Sequence, residues 1–171
     1  EGTILYMPTT LPGISVTVNG SGFATGESGI TITYDVAPVA FGISATTDGT
    51  WSTTFPVPPS AGGFHSIGAF GSITQASSVP QLSLTINPSI STSRPSGAQG
   101  SSVTVNGSGF APGETGITVT YDGTSVAPGI SASALGTWNS TFVVPPSASG
   151  PRSIRASGLV TQAASVREAS F

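Results

Sequence analysis

An all-β fold made of two copies of one sandwich module is what the sequence predicts, and three observations predict it. The chain repeats itself at a fixed spacing. Its apolar residues alternate with a period of two, and glycine and proline interrupt that alternation at short, regular intervals.

The repeat is explicit. Ser15–Ala24 (SVTVNGSGFA) recurs as Ser102–Ala111, an offset of 87 residues measured from Val16 to Val103. The offset then holds to the last residue. Ile30-Thr31 matches Ile117-Thr118, Tyr34-Asp35 matches Tyr121-Asp122, and Gly49-Thr50-Trp51 matches Gly136-Thr137-Trp138. Val57–Ala61 likewise matches Val144–Ala148, and Thr74-Gln75-Ala76 matches Thr161-Gln162-Ala163.

Within a module the period is that of a strand with one buried face. Val103 and Val105 alternate with Thr104 and Asn106, and Ile117, Val119 and Tyr121 alternate with Thr118, Thr120 and Asp122. Strands are expected at 3–7, 14–19, 29–35, 41–46, 50–55, 64–70 and 73–79. In the second copy they are expected at 82–87, 101–106, 116–122, 128–133, 137–142, 151–157 and 160–167. Turn signals every ~8–12 residues are those of a two-sheet sandwich. The expected architecture is therefore two tandem immunoglobulin-like β-sandwich domains, 1–80 and 81–171. Their expected core aromatics are Trp51, Trp138, Tyr34, Tyr121, Phe23, Phe110, Phe55 and Phe142.

Composition narrows the function. Of 171 residues only 6% are charged, against about 25% in ordinary soluble proteins. Mean hydropathy is nevertheless only +0.24, because Ser, Thr and Gly stand where charge usually does. Such a surface opposes self-association weakly. A net charge of −3 and a pI near 4.7 argue against nucleic acid as a partner, whose phosphates demand a basic stripe. The four basic residues are all arginine, so lysine isopeptide crosslinks are excluded, and with no cysteine there are no disulfides or thiolate metal sites. No apolar run approaches the ~20 residues of a membrane-spanning helix. The first residue is Glu1 rather than Met, as expected of a processed chain or of a piece of a longer one.

The segment Val103–Glu114 (VTVNGSGFAPGE), followed by Tyr121-Asp122-Gly123-Thr124, Gly136-Thr137-Trp138 and Val144-Pro145-Pro146, resembles the IPT/TIG-like immunoglobulin-fold repeats found in tandem on microbial surface and secreted proteins. The resemblance covers nearly the whole chain. It implies an extracellular or cell-surface location and a role as stalk, spacer, adhesin or fibre subunit. It supplies no catalytic signature and no cofactor.

The chemistry-bearing residues give little support to an enzyme. His65 is the one histidine and its sister position holds Arg152, so no general base is common to the two modules. Asp35 and Asp122 close strands at turns, and Glu27 and Glu114 lie across a further turn from them. A calcium ion would want six to eight oxygens, so no metal is expected. Gly20-x-Gly22 and Gly107-x-Gly109 precede no helix, which removes the dinucleotide reading. Trp51 and Trp138 are core residues in the preferred reading and sugar-stacking platforms in the alternative one. Asn19-Gly20-Ser21, Asn106-Gly107-Ser108 and Asn139-Ser140-Thr141 all fit the glycosylation sequon, with Asn139 the candidate acceptor.

The ends point to assembly. By the 87-residue offset Phe171 corresponds to Leu84, and by its own alternation Gln81–Pro88 resembles Glu1–Pro8. The chain is thus expected to begin and end within the joint that links its two modules. Head-to-tail pairing of copies through terminal strands follows as the expected partner chemistry, with Thr3, Ile4, Leu5, Tyr6, Met7, Val166, Ala169 and Phe171 as the inter-subunit candidates. The alternative is an adhesin or carbohydrate-binding module excerpted from a longer surface protein, with surface glycans as partners. The two copies also differ: Phe41, Phe64 and Phe70 become Pro128, Pro151 and Ser157, and Ser89–Gln99 is expected as a longer loop before Gly100.

Overall fold

The computed structural model describes residues 3–5, 9–147 and 149–171, with backbone alone at 3–5 and 9. Alternation of β-branched residues builds strands, and Gly22, the turn at Asp35, Gly71 and Pro88 each mark the end of one in the first module. In chain order these are β1 (Thr3–Leu5), β2 (Thr9–Thr10), β3 (Ser15–Ser21), β4 (Ile30–Tyr34), β5 (Ala37–Ile43), β6 (Trp51–Pro56), β7 (Gly63–Phe70) and β8 (Leu82–Ile86). The second module has β9 (Ser89–Thr92), β10 (Ser102–Ser108), β11 (Ile117–Tyr121), β12 (Thr124–Ile130), β13 (Trp138–Val143), β14 (Ser153–Ser157) and β15 (Ala169–Ser170).

Each module is a two-sheet sandwich. In the first, a sheet of order β1-β3-β6 faces one of order β2-β8-β7-β4-β5. In the second, β9-β10-β13 faces β12-β11-β14-β15. The chain is therefore all-β and immunoglobulin-like, in tandem. By contact density it divides into two compact units, 1–58 with 64–85 and 59–63 with 86–171. The second core runs from Val103, Val105 and Phe110 through Ile117, Val119 and Tyr121 to Phe142, Ile154 and Phe171.

Five strand expectations and one loop expectation are corrected. The stretches 73–79 and 160–167 are not strands but turns, each followed by one 3₁₀ turn, Ala76–Ser78 and Ala163–Ser165. The first two backbone N–H groups of each stretch are taken by a buried carboxylate described below, and the following ones close the 3₁₀ turn. The strands expected at 41–46 and 128–133 start earlier, at Ala37 and Thr124, because a two-residue turn follows Tyr34 and Tyr121 directly. The strand at 82–87, expected to open the second module, lies in the first module's larger sheet. Ser89–Gln99, expected as loop, begins with β9.

The last two corrections change the internal equivalence. Ile4 of β1 lies opposite Gly20, and Ile90 of β9 lies opposite Gly107. The segment matching Thr3–Leu5 is therefore β9, not β8. The proper counterpart of β8 is β15, the outer neighbour of β14 as β8 is of β7. Alternation misleads here because two apolar strands follow one another across Pro88, and either satisfies a period of two.

Candidate functional site

The aromatic residues that could have formed a surface platform lie inside. Trp51 and Trp138 are 5% and 6% exposed. Each stands opposite a glycine on the neighbouring strand, Gly20 and Gly107, and a Cβ at either glycine would overlap the indole. The glycine is thus required by the close approach of a large ring to the backbone. Phe23 and Phe110 meet these indoles edge to face at 5.4 and 5.2 Å. Tyr34, Tyr121, Phe55 and Phe142 are buried in the same cores.

Two buried carboxylates do the work of a clasp. Glu27 is 2% exposed. Its Oε1 accepts the backbone N–H groups of Ile73 and Thr74, both at 2.7 Å. Its Oε2 accepts the Thr74 hydroxyl at 2.6 Å and the Ala24 N–H at 3.1 Å. Burial alone pushes this carboxyl up, but the Thr74 hydroxyl and the three N–H donors outweigh it and hold the group at about 2. Glu114 repeats the arrangement with Val160, Thr161 and Ala111, and its carboxyl is lowered for the same reasons. Gly71 and Gly158 leave the necessary space, since a Cβ at either would overlap the carboxylate. Among the described residues no cluster of three or more His, Cys, Asp or Glu is assembled. The carboxylates considered for calcium are committed to their own backbone.

Asp35 and Asp122 sit in the turns after β4 and β11 with φ of 45° and 47°. The next residue also has positive φ: Gly123 at 82° and Val36 at 67°. Two left-handed residues make the tight turn that suits twisted hairpins, for which Asp-Gly is apt and a β-branched Val is strained. The Asp carboxylates reach the following sheet strand. Asp122 Oδ1 accepts the Ser153 N–H at 3.0 Å and Oδ2 accepts from Arg152 Nη1 at 2.9 Å. Asp35 accepts the Ser66 N–H at 2.8 Å and pairs with His65 Nδ1 at 2.5 Å. Both carboxyls are held below the usual range. For Asp35, burial works against this and the His65 and Ser66 hydrogen bonds prevail. For Asp122 the Ser153 N–H is the largest cause.

The chain ends differ from one another. The described part of the N-terminal segment, Thr3–Leu5, pairs with Asn19–Ser21; Tyr6 and Met7 lie outside the described residues. At the other end Ala169 and Ser170 pair with Ile154 and Ser153. Phe171 exchanges two backbone hydrogen bonds with Arg152, at 2.7 and 2.9 Å, and is 8% exposed against the Tyr121 ring. Val166 is half-buried against the same core. Phe171 also lines an open cavity of about 500 Å³, together with Gln99, Tyr121, Val144, Ser147 and Pro151 among others. In the first module β8 continues past the matching residue Leu84, and Ile86, two places further on the same face, is 1% exposed.

The remaining candidates are on the surface. Asn139 is exposed on the outer face of β13, opposite Asn106. Phe41, Phe64 and Phe70 are exposed too, at 76%, 82% and 36%. Sequence reasoning noted that these three aromatics are confined to one module, but alternation could not tell which of them face outward next to polar groups. It missed the Glu27 and Glu114 clasps, whose signal was present: a Glu directly after Phe-Ala-x-Gly and a Thr at a constant distance in both copies.

No known protein family matches the chain, and no curated protein does. Among solved structures, a central fibronectin-III array of RIM-binding protein aligns with 98% of this chain at 12% identity and a TM-score of 0.36. A BSP domain of a biofilm-associated protein aligns with 99% of it at 17% identity and a TM-score of 0.34. This chain spans 59% and 29% of the length of those two chains.

Proposed function

We propose that this chain is a non-enzymatic structural protein of the cell surface or extracellular space, of the IPT/TIG-like kind, whose copies join head to tail into a filament or stalk. The single observation that carries this reading is the tandem use of one weakly charged all-β module, whose two copies share the same buried packing.

The proposed partner is a second copy of the chain, its terminal strand set beside the cavity that Phe171 and Gln99 line. The outer edges β5 and β12 are poor alternatives for pairing, because each carries a bulge and a proline, Pro38 and Pro128. A weakly charged, hydroxyl-rich surface adds little repulsion between copies. A contact between unlike ends that does not close on itself yields open filaments.

Light scattering and negative-stain microscopy across a concentration series test the proposal. Linear polymers whose mass rises with concentration are expected. Gln99→Trp, which fills the cavity from an exposed position, should leave both sandwiches folded and the chain monomeric. A wild-type chain that stays monomeric at every concentration overturns the joining of copies and favours a covalent array.

A further inference from the structure

A cleft of about 360 Å³ in the first module is lined by Asp35, Phe64, His65, Ser66, Gln81 and Ser83 together with Leu82. We propose that it is a binding subsite for an uncharged saccharide, a role independent of the assembly of copies.

The two modules differ most in chemistry at this position. In the second module the matching place holds Pro151, Arg152, Asp122 and Glu168, and these groups are consumed by one another. Arg152 donates to Asp122 at 2.9 Å, Arg155 to Glu168 at 2.7 Å, and the Ser153 hydroxyl to Glu168 at 3.0 Å. The first module keeps the aspartate and the serine of that surface, as Asp35 and Ser66, puts His65 in place of Arg152, and replaces the rest. Phe64 stands for Pro151 and is 82% exposed. Gln81 stands for Glu168, and Gly68 removes the side chain that Arg155 supplies. What remains is an accessible aromatic ring beside a carboxylate, an imidazole, an amide and two hydroxyls.

A sugar ring presents an apolar C–H face and a rim of hydroxyls, and this pairing of an aromatic ring with planar polar groups complements both. The polar part is arranged in advance. His65 is stacked on buried Tyr34 at 5.0 Å with 16° between the rings. Asp35 is fixed by the Ser66 N–H and His65, so little ordering cost is left for binding. The charge balance selects against other ligands. Among the cleft's residues there is no lysine or arginine to hold phosphate, sulfate or an acidic sugar, and Asp35 repels them. A cation would find one carboxylate, already engaged. An uncharged, hydroxyl-rich ligand is the class that remains.

The test titrates the full chain with a panel of neutral di- to hexasaccharides built from glucose, mannose, galactose and N-acetylglucosamine. Amide chemical shifts and calorimetry provide the readouts. At least one sugar is expected to shift the amides of Ser66, Gln81 and Ser83. Phe64→Ala and Gln81→Ala are each expected to raise its Kd about tenfold or more, while Phe41→Ala, at an exposed ring away from the cleft, leaves it unchanged. Phe64 and Gln81 are exposed, so thermal melting should confirm that both variants remain folded. The proposal is overturned if no sugar in the panel moves those amides, or if Phe64→Ala binds as wild type does. It is also overturned if Phe64→Ala alters only the association of copies, which would assign the ring to a protein contact. Polymer formation by the unliganded chain is scored separately, so either reading can fail without the other.

Discussion

The two sandwiches use the same buried devices and differ at their margins. Each has a tryptophan laid across a glycine, a phenylalanine against the indole edge, and a glutamate that gathers three backbone N–H groups and a threonine hydroxyl. The differences lie in the turn after the fourth strand of the first module and on the face that carries Phe64. The cores are constrained because a close-packed interior tolerates little change in volume. The margins meet solvent and can diverge in charge and strain. What the comparison teaches is that the two copies keep what they bury and vary what they expose.

That lesson can be broken most directly at β8. Ile86 is 1% exposed at the end of β8, so Ile86→Ala leaves a cavity and should cost about 3 kcal/mol. Denaturant titration of wild type and variant checks it. A change below about 1 kcal/mol would mean that Ile86 is not a packed core residue.

The clasps should prove equivalent. Glu27→Gln and Glu114→Gln each replace an acceptor by a donor facing N–H groups, at a cost of about 2 kcal/mol. The folded-state carboxyl of Glu27 lies near 2, below its ordinary value of 4.5. Its stabilisation is therefore complete above about 4.5 and drains away as pH falls from there toward 2. Glu114 is lowered as well and acts in the same direction. Calorimetry between pH 6 and 2 should show each Gln variant losing the part of the acid dependence that its own module contributes. Undiminished acid sensitivity in both variants would refute the clasp as its source.

The smallest effect separates the turns. Val36→Gly gives the first module the Asp-Gly pair that the second has at Asp122-Gly123, and relief of the left-handed valine should stabilise by about 1 kcal/mol. The corresponding change Gly123→Val should destabilise the second module by a similar amount. A thermal melt of each variant decides whether the strain resides in this turn.

How far these features could be read beforehand follows from their physics. Strands such as Ile117–Tyr121 and Trp138–Val143 were plain, because a half-buried strand writes itself as alternation. The stretch Ile73–Val79 looks equally like a strand, yet its first two N–H groups are taken by Glu27, far back in the chain. No local pattern reveals a donor's distant acceptor. Likewise β8 and β1 both alternate, and only register showed that β1 answers to β9.

The sequence by itself determined that there are two copies of one all-β module, which glycines and prolines bound their strands, and that charge is scarce. Those properties are local or compositional, and each residue carries its own share of them. Tertiary structure alone decided which sheet takes each edge strand, where the glutamate carboxylates find their donors, and which aromatic rings face solvent. Each of these depends on groups far apart in the chain meeting in space, with hydrogen bonds and cavities that exist only once both partners are in place.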